Sequence, residues 1–349
     1  AGKNFKPIFG VEAYFVPSIK DWKAAYEKAK ADKKAARDLE SDPTKTANED
    51  EGASKRKVDN IIRRRRHLIL VAQNQEGLNN IFKMISTSFQ GDNFYRYPRV
   101  DYDLLSQHSE GVIAASACLG GVYAGNYWDN RDDGEEAILE AMRETTKRMT
   151  GIFGKRWYGE LQWNNVPEQH DLNKYVLKMK DEFDIDVIST ADSHYPSPQA
   201  WKDRELYKRL GFLNRPNKPE WMTSELPDGV EEIGYELYPK NGDQMWESYK
   251  KYSEECGVEY DDDVVYDSLT TTHWIAHELI EDFMPDDTVR LPGFVVPEGE
   301  KPTHALTKAC IKGLREMGFG NNMEYVERLK HELNVIDDRG FSKYFLTMK

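Results

Sequence analysis

The sequence predicts an α/β fold. Two observations carry this. Short apolar, β-branched runs recur along the chain, and between them lie segments whose apolar positions repeat at helical spacing. That alternation implies a parallel or barrel-like sheet with helices packed against it. A third observation is size: 349 residues, 39% hydrophobic and 12% aromatic, allow two domains and at least one large core.

In chain order, Lys6 to Val16 (KPIFGVEAYFV) reads as a strand closed by Pro17. From Ser18 to Arg66 the composition turns to Lys, Arg, Ala, Asp and Glu, and the stretch reads as a charged insertion projecting from the core. Within it, Asp21 to Glu40 has strong helix propensity. Ser41 to Ser54 reads as loop, and Lys55 to Arg66 is basic, ending in four arginines. His67 to Gln73 is a buried strand. Glu76 to Phe89 places Leu78, Ile81, Phe82 and Ile85 at helical spacing. Gly111 to Cys118 is a strand entering a Gly-Gly turn. Asp133 to Thr150 is a helix with acidic residues at its start and Lys147 and Arg148 near its end, which suits the macrodipole. Trp157 to Trp163 is a strand, and Val166 to Phe183 is a helix that tolerates Pro167 in its first turn. Asp186 to Ala191 is a strand, followed at once by Asp192, Ser193 and His194. Beyond Pro196 the pattern weakens; Ala200 to Phe212 and Gln244 to Tyr252 look helical. Leu291 to Pro302, with three prolines and two glycines, is the best linker. His304 to Met317 and Tyr325 to Asp338 then read as amphipathic helices that open a second domain. The expected division is residues 1–285, a linker at 286–302, and 303–349.

The net charge is −13, which argues against the bulk of the chain being a DNA-binding surface, because phosphate contacts need lysine and arginine. An acidic module can still act on nucleic acid if metal ions neutralise its site. No apolar run approaches a membrane span, and the first residues lack the layout of a signal peptide. The three cysteines, Cys118, Cys256 and Cys310, are far apart and imply no disulfide framework, so a reducing, cytoplasmic compartment is expected. Ala1 and the apolar ending FSKYFLTMK suggest a piece of a longer protein.

In an α/β barrel, functional groups collect where strands end. Glu12 ends its strand, Cys118 ends GVIAASAC, and Asp192 and His194 follow DVISTA. Spaced i, i+2, the last two would leave an extended segment on one side, as a divalent metal that activates water would require. Bland readings stand beside these. Cys118 could be a small core hydrophobe, Glu12 a solvated residue, and His67, which opens its strand, a capping or core histidine. His273 and His277 (HWIAH) resemble half a zincin motif, but Trp274 stands where its glutamate would be, so both read as surface or packing residues.

Several segments together match one family. KPIFGVEAYFVP, HLILVAQNQEGLNNIFKMIS, GVIAASACLGG, WYGELQWNNVPEQHDLN and DVISTADSHYPSPQAWKDREL resemble, in order, segments of the bacterial DNA polymerase III alpha subunits. LPGFVVPEG and YVERLKHELNVIDDRGFSKYFL resemble the family's passage from its PHP domain into the polymerase palm. The resemblance implies a distorted seven-stranded PHP (TIM-like) barrel, incomplete at its N-terminus, followed by the beginning of an α/β palm. It implies a metal cluster held by nine ligands and a phosphoesterase activity that can include 3′-5′ excision. Five ligand positions fall here by motif match: Glu12, His67, Cys118, Asp192 and His194, with Asp192, His194 and Glu12 nearest the chemistry. The other four would precede Ala1, and the polymerase aspartates would follow Lys349.

Divalent ions are implied in the PHP site. The thiolate of Cys118 points to Zn, Mn or Fe there, with Mg serving the polymerase site. Implied partners are primer-template DNA, a sliding clamp and a proofreading exonuclease subunit, with no membrane. Two alternatives are a non-catalytic PHP platform for a separate exonuclease and a stand-alone PHP phosphatase. Arg63 to Arg66 could touch nucleic-acid phosphates or form a solvated excursion.

Overall fold

In the computed structural model, residues 5–40, 61, 65–211, 213, 226, 234–286, 288 and 294–349 are described. Ser41 to Ser54, Arg63, Arg64 and most of the basic stretch before them, and the first residues of the Leu291 to Pro302 linker lie outside that set. The chain separates into two compact units, 1–285 and 286–349.

The first unit is built on a mixed sheet of β1 (Gly10–Phe15), β2 (Arg66–Ala72), β5 (Val112–Ala115), β6 (Trp157–Leu161) and β7 (Asp186–Ser189), in the order β1-β2-β5-β6-β7. A small hairpin, β3 (Phe94–Tyr95) and β4 (Tyr97–Pro98), stands apart from it. β1 pairs antiparallel with β2, and β2 antiparallel with β5. β5, β6 and β7 then pair in parallel. Four strands therefore run one way and β2 alone runs against them. This corrects the expectation of a parallel sheet. The register itself shows the reversal: Gly10 pairs with Val71 and Phe15 with Arg66, so β2 returns alongside β1 in the opposite direction.

The seven-stranded barrel is likewise not what the described residues form. Among the described residues the main sheet has five strands, with β1 and β7 at its edges and a single parallel bridge, Phe15 to Val100, beyond β1. Closure around a packed interior takes about eight strands, so this sheet stays open. The described residues of the second unit hold three helices and no strand, so no α/β character is seen there: α10 (Pro302–Glu316), α11 (Met323–Asp338) and α12 (Ser342–Met348). Leu306 and Leu346 are its buried apolar side chains, and Phe319 stacks on Tyr325 with centroids 4.4 Å apart.

The helices of the first unit are α1 (Ile19–Glu40), α2 (Gln75–Ser88), α3 (Tyr102–Gln107), α4 (Val122–Asn130), α5 (Glu135–Phe153), α6 (Pro167–Phe183), α7 (Trp201–Leu210), α8 (Gly242–Glu255) and α9 (Asp262–Trp274). One sheet face contributes Leu68, Leu70, Ala114, Trp157 and Leu161 to a large core shared with α2, α4, α5 and α6. The opposite face contributes Ile69, Ile113, Ala115, Tyr158 and Ile188 to a smaller cluster. That cluster is covered by Ile275 and Leu279 of the π-helical turn following α9 and by Ile280 just after it. Alternation along each strand separates the two faces.

The start of the insertion is anchored. Arg99 is fully buried, its guanidinium 3.8 Å from the Trp22 ring, and it donates to the carbonyl oxygens of Tyr95 and Tyr97. Burial pulls its pKa down to about 10. Trp22 stacks on Tyr26 and donates its indole N–H to the carbonyl of Ile61.

Candidate functional site

The direction of β2 explains how His67 reaches the site. As β2 opens, it lies beside the closing ends of β1 and β5. Tyr14 faces His67 and Glu12 faces Ile69 across the ladder, so Glu12 and His67 are diagonal neighbours on one face. Their side chains meet, with His67 Nδ1 2.7 Å from Glu12 Oε1. The bond to His67 holds the Glu12 carboxyl below its ordinary range against the opposing effect of burial.

Cys118 lies beyond the end of β5, in a turn that begins at Ala117 with φ +61°. The turn is tight: the Gly121 N–H donates to the Cys118 carbonyl at 2.7 Å, and the Gly120 N–H reaches Cys118 Sγ at 3.4 Å. A Cβ on Gly121 would stand 2.0 Å from the Ser116 carbonyl oxygen, so only glycine fits there. The turn brings Cys118 Sγ to 3.7 Å from His67 Nδ1. Burial, and then the Asp192 carboxylate, push the Cys118 thiol up to about 12.

Asp192 and His194 follow β7, but not on an extended segment. β7 ends at Ser189 and Asp192 has φ +46°, so the i, i+2 argument for their common direction does not hold. They come together through a turn instead. His194 Nδ1 lies 2.6 Å from the Asp192 carbonyl and 4.0 Å from Asp192 Oδ2. The His194 N–H donates to the Leu237 carbonyl at 2.7 Å, which fixes the segment.

His67, Cys118, Asp192 and His194 line one cleft of about 310 Å³, together with Gln162, Arg204, Lys208 and Tyr235. Glu12 joins through His67. All five sequence-predicted residues thus belong to one neighbourhood. His273 and His277 do not line it; their rings lie 4.2 Å apart on an exposed helix.

Sequence reasoning missed Glu160. It is 4% exposed at the end of β6 and accepts the Ala117 N–H at 2.8 Å and the Thr190 hydroxyl at 2.6 Å. Burial raises its pKa to about 7, and Asp192 and Glu12 add to the rise. The signal was alternation. In WYGELQW, Tyr158, Glu160 and Gln162 face away from the core occupied by Trp157, Leu161 and Trp163, and a charged residue inside so apolar a strand calls for a reason. Arg204 and Lys208 were also missed; both pair with the buried Glu205, at 3.2 and 2.8 Å.

Among the described residues, no three His, Cys, Asp or Glu side chains stand close enough to hold one ion as they are. The donor set nonetheless suits a divalent cation. Asp192, two imidazoles and a thiol line one cleft with Glu12 beside His67, and negative charge accumulates there: Asp192 and Glu12 each raise the pKa of both Cys118 and Glu160. A cation relieves that repulsion. Glu12, His67, Cys118, Asp192 and His194 are the residues that could hold it. Among the described residues no helix is long and apolar enough to cross a membrane.

The PHP-domain family model matches residues 1–164. The DNA polymerase III subunit alpha of Aquifex aeolicus is 31% identical over 355 residues, spanning 99% of this chain and 26% of that protein. The DNA polymerase III subunit alpha of Chlamydia trachomatis is 28% identical over 382 residues, 98% of this chain and 27% of the relative. That of Borreliella burgdorferi is 27% identical over 350 residues, 98% and 25% respectively. The chain spans about a quarter of the length of these curated relatives. With a PHP match over nearly half its residues and similarity along almost all of them, the chain is similar to the PHP-containing part of DNA polymerase III alpha subunits.

Proposed function

We propose that this chain supplies the metal-dependent phosphoesterase centre of a replicative DNA polymerase, acting on mispaired 3′ nucleotides or another phosphoester. The observation that carries the reading is the convergence of His67, Cys118, Asp192 and His194, from three separate strand ends, on one cleft that also presents Arg204 and Lys208. When bound, divalent ions such as Zn, Mn or Fe would offset phosphate charge and make water a better nucleophile. The chain's own residues do the rest. Glu12 Oε1 and Cys118 Sγ both face His67 Nδ1, so these three side chains would hold one side of the centre. Asp192 and His194 hold the far side of the cleft. Arg204 and Lys208, kept near Glu205, would orient an incoming phosphate. DNA synthesis by the whole protein, with Mg, primer-template DNA and a sliding clamp, belongs to the same proposal, as does a cytoplasmic location.

The test is 3′-5′ excision by the full-length protein with Mn or Zn, comparing wild type with Asp192→Ala and His194→Ala. Loss of excision in both supports the catalytic assignment, and unchanged excision sinks it. A second reading, a PHP platform that binds a separate proofreading exonuclease, draws on the absence of any ready-made three-residue group among the described residues. Stoichiometric metal without hydrolysis in the same assay favours the platform.

A further inference from the structure

The geometry points to Glu160 as a positioning residue: its single carboxylate fastens the turn carrying Cys118 to the segment carrying Asp192 and so sets the spacing of the two ligands. This rests on the metal-centre reading above. Oε1 accepts the N–H of Ala117, the residue before Cys118, at 2.8 Å. Oε2 accepts the hydroxyl of Thr190, two residues before Asp192, at 2.6 Å. Thr190 Oγ1 itself accepts from Gln162 Nε2 at 3.2 Å, which leaves its proton directed at Glu160. The backbone completes the clamp, for the Glu160 N–H donates to Ser116 Oγ at 2.9 Å. Ala117 and Asp192 both adopt left-handed conformations that a non-glycine residue holds only when its surroundings impose them. One such residue lies on each segment that Glu160 ties down. The glutamate reaches no ligand side chain by any hydrogen bond found among the described residues, so its influence passes through these two segments.

The test is cobalt(II) titration of the full-length, metal-stripped protein, followed by visible and near-ultraviolet absorption. The thiolate-to-cobalt band reports Cys118 directly, and a merely structural glutamate would not move it. Glu160→Ala is expected to weaken cobalt binding about tenfold to a hundredfold and to shift that band. Glu160→Gln, which keeps the Ala117 bond and can donate to Thr190, should restore affinity to within a few-fold. Thr190→Val, which breaks one arm without burying a charge, should fall between them. If Glu160→Ala does not fold, Thr190→Val decides, and wild-type affinity and spectrum in that variant overturn the proposal. Wild-type behaviour of Glu160→Ala, alongside loss of binding in Asp192→Ala, overturns the positioning role and leaves the metal centre standing. Wild-type cobalt binding in both Asp192→Ala and Cys118→Ala overturns the metal centre and the positioning role together.

Discussion

Replacing Glu160 by Gln should flatten a pH dependence built into the metal-free protein. Glu160 is buried, and its folded pKa of about 7 lies above its ordinary 4.5 because burial, Asp192 and Glu12 outweigh the bonds from Thr190 and Ala117. The folded state therefore binds this proton more tightly than the unfolded chain. The associated stability is fully present below pH 4.5 and is lost as pH rises through 7. A shift of two to three units corresponds to about 3 kcal/mol. All eight tryptophans precede residue 286, so tryptophan fluorescence reports the first unit alone. Urea unfolding with a chelator present, between pH 4.5 and 8.5, should show wild type losing about 3 kcal/mol relative to Glu160→Gln across that window. Parallel profiles for the two proteins would refute the reasoning.

Four further outcomes are expected. Gly121→Ala puts a Cβ 2.0 Å from the Ser116 carbonyl oxygen, and should cost about 1–3 kcal/mol or more in the fluorescence-monitored unfolding of the first unit; an unchanged midpoint contradicts the close approach. Arg99→Met removes the stack on Trp22 and both bonds to the Tyr95 and Tyr97 carbonyls. It should destabilise by about 2–4 kcal/mol and free α1 for earlier cleavage in limited proteolysis, and wild-type resistance would argue against the anchor. Zinc at a hundred times its dissociation constant should stabilise the first unit by about 2.7 kcal/mol. Cys118→Ser should weaken zinc more than manganese, because the hydroxyl is the harder ligand; equal losses for both metals would show that sulfur contributes nothing specific.

Most helices and strands were legible because their apolar periodicity is strong. α2, α5 and α6 fall within a few residues of their expected spans. α4 was not legible. GVYAGNYWDN contains glycine and aromatics with poor helix propensity, and it is helical because Val122, Tyr123, Ala124 and Tyr127 are buried against the core. For the site, strand-end logic reached Cys118 and placed Asp192 and His194 near a strand end. It demoted His67, because the reversal of β2 is a pairing fact that no local pattern encodes. The left-handed turn at Asp192 was equally invisible, since aspartate carries no obligation to adopt it. Glu160 was overlooked because its partners, Ala117 and Thr190, lie 43 and 30 residues away.

The reversal of β2 has a consequence for how this protein can change over generations. Phe15 and Arg66 are partners on one rung of the ladder, so everything between them departs from and returns to points about 5 Å apart. Lengthening a tether whose ends are already neighbours costs only about 0.6 kcal/mol per doubling. A gene could therefore gain or shed residues between these strands while Glu12 and His67 stay in register. The edge carrying Glu12 and His67 and the charged excursion can evolve at separate rates, although they are joined in one chain segment.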